Sequence, residues 1–130
     1  MQRRAFLQHG AAALAAGSLS SCFSSKTTEL HVFTWSDYIH PELVKQFETA
    51  FSCSVVIDTF DSNESMFAKL KGGATGYDIL VPSSYTVKAL MRDNLLAPLD
   101  LAKIPNSKNI DADHLKKSLD PQMHHSVPYM

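Results

Sequence analysis

The stretch Phe33-Thr34-Trp35-Ser36-Asp37-Tyr38 sets the single tryptophan of the chain beside a carboxylate and a phenol, with Pro41 close behind. Turns are built mostly from Gly, Pro, Asn, Asp and Ser, so two large rings exceed what a chain reversal needs. Two more stretches share this character, Phe60-Asp61-Ser62-Asn63-Glu64 and Pro82-Ser83-Ser84-Tyr85. From Trp35, Thr59 and Pro82 onward they pool an indole, phenols, carboxylates and hydroxyls, and hold no Lys, Arg or Cys. A ring face attracts a cation by about 0.5–2 kcal/mol, and a hydrogen bond to a charged group nets about 1.5–3 kcal/mol. The chemistry on offer is the capture of an organic ammonium.

These residues also have structural uses. Trp35 can pack against a helix and close a core. Asp37 can form an Asx-turn or cap a helix starting at Pro41, and Ser83 or Ser84 can cap a helix that carries Tyr85 on its surface. Asp61 and Glu64, three apart, suit a capping box better than a ligand. Other chemistries find less support. The glycines of Gly72-Gly73-Ala74-Thr75-Gly76 follow a helical pattern and precede a strand, the reverse of a phosphate loop. His124-His125 are neighbours that point apart on an extended chain, no Cys/His spacing suits zinc, and no G-x-S-x-G elbow is present. The pattern supports neither an enzyme nor a cofactor.

The elements that must position these residues follow from periodicity. Residues 30–35 are apolar and β-rich; residues 41–51 then put Leu43, Val44, Phe47 and Phe51 on one helical face, with Pro41 in the first turn. Residues 54–60 read as a second strand, and 62–71 as a second helix carrying Met66, Phe67 and Leu70 and stopped by Gly72-Gly73. The short apolar run 77–81 reads as a third strand buried on both faces, followed by a helix over about 84–93 with Val87, Leu90 and Met91. Residues 95–109 are broken by prolines, a short helix is expected over 111–118, and 125–129 reads as another strand beginning. Strand and helix in alternation imply an α/β fold, a doubly wound, mainly parallel sheet covered on both faces. Ligands bind outside the carboxyl ends of the strands in such sheets, where the three polar stretches fall.

The 130 residues make room for one domain, and 45% hydrophobic with 19% charged residues is the balance of a globular protein. A net charge of -1 and no basic run beyond Lys116-Lys117 give no reason to expect nucleic acid. Arg3-Arg4 followed by the apolar 5–19 reads as an export signal over residues 1–21, too short to span a membrane. Gln2-Arg3-Arg4-Ala5-Phe6-Leu7 resembles a twin-arginine start, with a plain basic segment as the alternative, and Leu19-Ser20-Ser21-Cys22 resembles a lipobox. Cys22 is therefore the expected lipid-bearing residue, residues 22–28 a polar tether, and 29–130 the exported domain, located at the periplasmic face of the cell envelope. That leaves Cys53 without a disulfide partner, a small buried hydrophobe.

In order and spacing, Phe33-Thr34-Trp35-Ser36-Asp37-Tyr38, Phe60-Asp61-Ser62-Asn63-Glu64, Lys69-Leu70, the run from Tyr77 to Tyr85 and Val127-Pro128-Tyr129 resemble the bacterial spermidine/putrescine-binding proteins, solute receptors of polyamine ABC transporters. The resemblance runs from about Leu30 to Tyr129. It implies a two-lobe receptor closing on a polyamine, with permease subunits as partners. Carried over by motif, Trp35, Tyr38 and Tyr85 are ring walls, Asp37 is an amine-binding carboxylate, and Ser36 and Ser83 are hydrogen-bonding residues. Asp61, Ser62 and Asn63 are assigned to loop shape. Ser36-Asp37 is similar to putrescine-preferring members and Tyr85 to spermidine-preferring ones. Members of that family are much longer, so part of the first lobe of such a receptor, truncated or split and weak in binding, is expected here. The competing readings are a receptor for a small anion at Ser83-Ser84 and an envelope module that binds a partner.

Overall fold

The computed structural model describes residues 28–129. The export signal, Cys22 and the tether up to residue 27 lie outside those residues. Strands β1 (Thr28–Trp35), β2 (Cys53–Phe60) and β3 (Ile79–Leu80) alternate with helices α1 (Pro41–Phe51), α2 (Asn63–Lys71) and α3 (Ser84–Arg92). Two short 3-10 turns, Leu101–Lys103 and Pro105–Asn109, and helix α4 (Ala112–Lys117) follow. The sheet is parallel throughout, in the order β2-β1-β3. Because the chain leaves β1 in one direction to make β2 and crosses back past it to make β3, right-handed crossovers put α1 and α2 on opposite faces. This is the expected doubly wound topology, and β1 starts one residue ahead of the expected domain boundary.

Local chemistry sets the helix limits. Pro41 opens α1, and the Nδ1 of His40 accepts from the Glu42 N–H at 3.2 Å, so His40 rather than Asp37 caps the helix. Ser52 closes it in the left-handed region, with φ 50°. Ser62 caps α2 by accepting from the Ser65 N–H at 3.1 Å.

Alternation along β1 divides its side chains between two faces. Phe33 meets α2 and α3, where it forms a core with Phe60, Met66, Leu70 and Leu90. Its ring stacks on Tyr77 at 4.6 Å and meets the edge of Phe60 at 5.0 Å. Fully burying such a side chain stabilises by about 1.5–3 kcal/mol, so this cluster holds the domain together. The other face differs from expectation. Although α1 carries the expected apolar stripe, none of its residues is buried, and Phe51 is 67% exposed. Three strands are too narrow to cover it, and among the described residues no further element packs there.

The third strand also departs from the sequence reading. It is two residues long rather than five and pairs with β1 alone, which leaves Ile79 44% exposed instead of buried on both faces. The Asp78 N–H donates to the His31 carbonyl at 2.9 Å and the Val81 N–H to the Phe33 carbonyl at 3.0 Å, so the chain follows β1 beyond the strand itself. The residues expected to begin another strand, 125–129, form no strand, because no neighbour pairs with them. A side chain fixes their approach instead. The Asp120 carboxylate accepts from the N–H groups of His124 (3.0 Å), His125 (2.7 Å) and Ser126 (2.9 Å) and from the Ser126 hydroxyl (3.2 Å).

Candidate ligand site at the strand ends

Register decides what gathers at the carboxyl ends of the strands. β1 and β2 pair without slippage from Thr28–Cys53 to Trp35–Phe60, which sets Trp35 and Phe60 level. The two rings pack at 4.6 Å, so one side of the indole closes the core, as the structural reading of Trp35 has it. Trp35 also lines a cavity of about 600 Å³, together with Tyr38, Ser83 and Tyr129. Tyr38 bridges the other rings, with its centroid 6.3 Å from Trp35 and 6.4 Å from Tyr129. An aromatic wall of three rings therefore stands at the cavity mouth.

Of the residues expected to bind ligand, Trp35, Tyr38 and Ser83 line this cavity, whereas Ser36, Asp37 and Tyr85 flank it in sequence without lining it. Ser36 and Asp37 form the exposed turn after β1, and Asp37 holds a φ of 60°, a left-handed conformation that Asp tolerates better than most residues. With His40 capping α1, the Asp37 carboxylate accepts no hydrogen bond among the described residues. Tyr85 sits in the first turn of α3, largely exposed.

Asn63 ties two of these residues together. It is buried, its side-chain amide donates to the Ser83 hydroxyl at 3.0 Å and the Tyr85 hydroxyl at 2.7 Å, and its carbonyl oxygen accepts from the Ser83 N–H at 3.0 Å. This makes the loop-shape role expected of Asn63 concrete. Ser83 stands at the N-cap of α3 but makes no capping hydrogen bond, since its oxygen is taken by Asn63. The second lone pair of that oxygen stays available to accept from a ligand. Tyr129 is the residue that reasoning from sequence left out of the site, although the Val127-Pro128-Tyr129 motif was there to find it.

Behind the rings the cavity runs between residues 79–84 on one side and 126–129 on the other, with His114 and Lys117 of α4 on its wall. Asp120 lines it too, and its charge is engaged by the backbone. Burial alone pushes the Asp120 carboxyl up, but the hydrogen bonds from His125, His124 and Ser126 outweigh it and hold the group below its ordinary value. On the far side of the core, Asp58 accepts from Lys69 Nζ at 2.7 Å and from the Tyr77 hydroxyl, while Lys69 lies over the Phe33 ring at 4.7 Å. The hydrogen bond from Lys69, followed by that from Tyr77, lowers the Asp58 pKa. This pair is a strut between β2, α2 and the approach to β3.

A parallel sheet with helices on both faces and a polar, aromatic cleft at its strand ends defines part of one lobe of a periplasmic solute-binding protein. The chain belongs to the family described as hypothetical lipoprotein (MG045 family), whose model matches residues 3–120. It is 36% identical over 122 residues to the spermidine/putrescine-binding periplasmic protein of Escherichia coli, covering 90% of this chain and 35% of that protein. It is also 40% identical over 122 residues to the putrescine-binding periplasmic protein PotF of that organism, covering 92% and 33%. Among solved structures, the spermidine/putrescine ABC transporter substrate-binding protein PotD of Streptococcus pneumoniae matches with a TM-score of 0.75 at 43% identity, over 79% of this chain and 32% of that one. A putative spermidine/putrescine ABC transporter protein of Listeria monocytogenes matches at 0.74 and 41%, with the same coverage. The chain thus spans about a third of the length of the curated relatives it matches.

Proposed function

We propose that the chain contributes to binding a polyamine, putrescine or spermidine, at its strand ends, and to delivering it to the permease subunits of an ABC importer. The observation that carries this reading is the wall formed by Trp35, Tyr38 and Tyr129 beside the Ser83 hydroxyl. Flat rings suit the methylene chain of a diamine and attract its ammonium groups, and a hydroxyl with a free hydrogen-bonding direction suits an amine. Asp37, next to the wall and free of a capping role, is the carboxylate best suited to meet one charged end, with Ser36 and Tyr85 as flanking polar groups. The names of the relatives support the same ligand class. Because the chain spans about a third of those relatives, on this reading it supplies one share of a receptor's binding cleft. The opposite wall of the cleft comes from polypeptide corresponding to the remainder. Lipidation of Cys22 would hold it at the periplasmic face of the membrane, a reading the lipoprotein family supports.

Trp35 is the only indole, so its fluorescence reports on the site directly. Titration with putrescine and spermidine is expected to change that emission, and Asp37→Asn is expected to weaken the response by about tenfold, for a charged hydrogen bond of about 1.5 kcal/mol. Sulfate supplies the competing arm. Lys117 and His114 on the cavity wall and the Ser83-Ser84 start of α3 favour a small anion as the second reading. A response to sulfate without one to either polyamine would replace the first reading with the second.

A further inference from the structure

Asn63 occupies the first position of α2, where a short amide side chain commonly bonds to the nearby backbone. Here Ser62 has taken that task by accepting from the Ser65 N–H at 3.1 Å, and the Asn63 side chain turns to the start of α3 instead. It is 5% exposed and spends all its contacts there, on Ser83 and Tyr85. The direction of each bond is set by the one group that has no choice. The Ser83 N–H can only donate, so the Asn63 carbonyl oxygen must face it at 3.0 Å. The amide nitrogen is thereby turned to the hydroxyls of Ser83 (3.0 Å) and Tyr85 (2.7 Å), and because it offers hydrogens and no lone pair, both oxygens must accept. Each hydroxyl keeps one lone pair and its own hydrogen for other partners. An ammonium needs the lone pair, and the hydrogen competes with it for the same space.

Ser83 gives something up for this arrangement. It stands at the N-cap of α3, where serine is among the best residues, yet its side chain makes no capping hydrogen bond. It lines the cavity beside Trp35 and Tyr38 instead. A local preference set aside with no gain to the helix marks a side chain held for another purpose.

We infer, on the polyamine reading of this cleft, that Asn63 is a positioning residue of the ligand site: without meeting the ligand, it places the hydroxyls of Ser83 and Tyr85 and sets how many lone pairs they show to an amine. The affinity of the cleft is thus governed in part from α2, by a buried amide that lines no part of the cavity.

The test reverses the polarity of this side chain while keeping its shape. In Asn63→Asp the oxygen that replaces the amide nitrogen accepts from both hydroxyls, which turns their hydrogens inward and frees a second lone pair on each for the ligand. Trp35 fluorescence is titrated with putrescine on the full chain at about pH 8, where the introduced carboxyl is ionised and the amines stay cationic. Binding tighter than that of the parent by about threefold or more is expected, and the gain is expected to vanish in a Ser83→Ala and Tyr85→Phe background. Unchanged or weaker binding would overturn the inference, and so would a gain that survives in that background, which added charge alone would give. Should the charged variant not fold, Asn63→Ala decides: corrected for the folded fraction read in urea, it is expected to bind more weakly by about fivefold or more, and an affinity equal to the parent's would overturn the inference. A parent chain with no response to putrescine would remove the polyamine reading itself, and this inference with it.

Discussion

Replacing Asp120 tests how the cavity wall is held. The residue is 6% exposed, and its carboxylate accepts from three successive backbone N–H groups and one hydroxyl. Asp120→Ala leaves all four donors without their acceptor. His124 is exposed and rehydrates, but the His125 and Ser126 amides are half-buried, and a hydrogen bond to a charged group nets about 1.5–3 kcal/mol. A loss of about 2–4 kcal/mol follows, a large share of the 5–15 kcal/mol typical of a domain. In urea, with a slope of about 2 kcal/mol/M, the midpoint read by Trp35 fluorescence should fall by about 1–2 M. Asp120→Asn should cost less, about 1–2 kcal/mol, because its carbonyl can take the Oδ2 position where three donors converge and sacrifice only the His124 contact. The pH dependence separates charge from shape. A carboxyl held below its unfolded value contributes stability that is complete above about pH 4 and is lost as pH falls through the folded value. Asp120→Asn has no such group, so its acid limb should be shallower than that of the parent chain. An alanine variant within 0.5 kcal/mol of the parent, or an asparagine variant with an unchanged acid limb, would refute the latch.

Asn63→Ala should destabilise by about 2–3 kcal/mol and speed exchange of the Ser83 amide, since it strips partners from a buried network; an unchanged Ser83 amide would contradict the bridging role. Lys69→Met should raise the Asp58 titration midpoint followed by carboxyl NMR, because the hydrogen bond from Lys69 is the largest influence lowering it. Stability that Asp58 supplies above its unfolded pKa and loses on acidification would shrink with it. Ser52→Gly should stabilise by about 0.5–1 kcal/mol in thermal or urea unfolding, because Ser52 holds φ 50° at the end of α1, where glycine is unstrained.

Elements whose signals are local could be read from the sequence. The helical faces, Pro41 at the start of α1 and Gly72 after α2 are written in neighbouring residues, and their limits agree with the structure to within a residue or two. Elements that depend on a partner could not. The run 77–81 is apolar enough for a buried strand, but burial needs a neighbour on the far edge, and β3 has none among the described residues. The stripe on α1 likewise marks a face intended for contact without saying what meets it. At the site, the aromatic residues were visible as types out of place in turns. The Asn63 bridge was not, because it joins residues 20 and 22 positions apart through a side-chain amide, and no periodicity encodes that distance.

Tyr129 links the ligand reading to the order of residues 127–129. Its ring completes the aromatic wall through Tyr38, yet its backbone belongs to the segment that borders the open groove. Asp120 anchors that segment only as far as Ser126, and the three residues beyond it have no main-chain partner among those described. A wall residue with no main-chain hydrogen bond among the described residues costs a ligand the entropy of ordering it. Fixing residues 127–129 in place should therefore tighten the binding proposed above without touching the ligand.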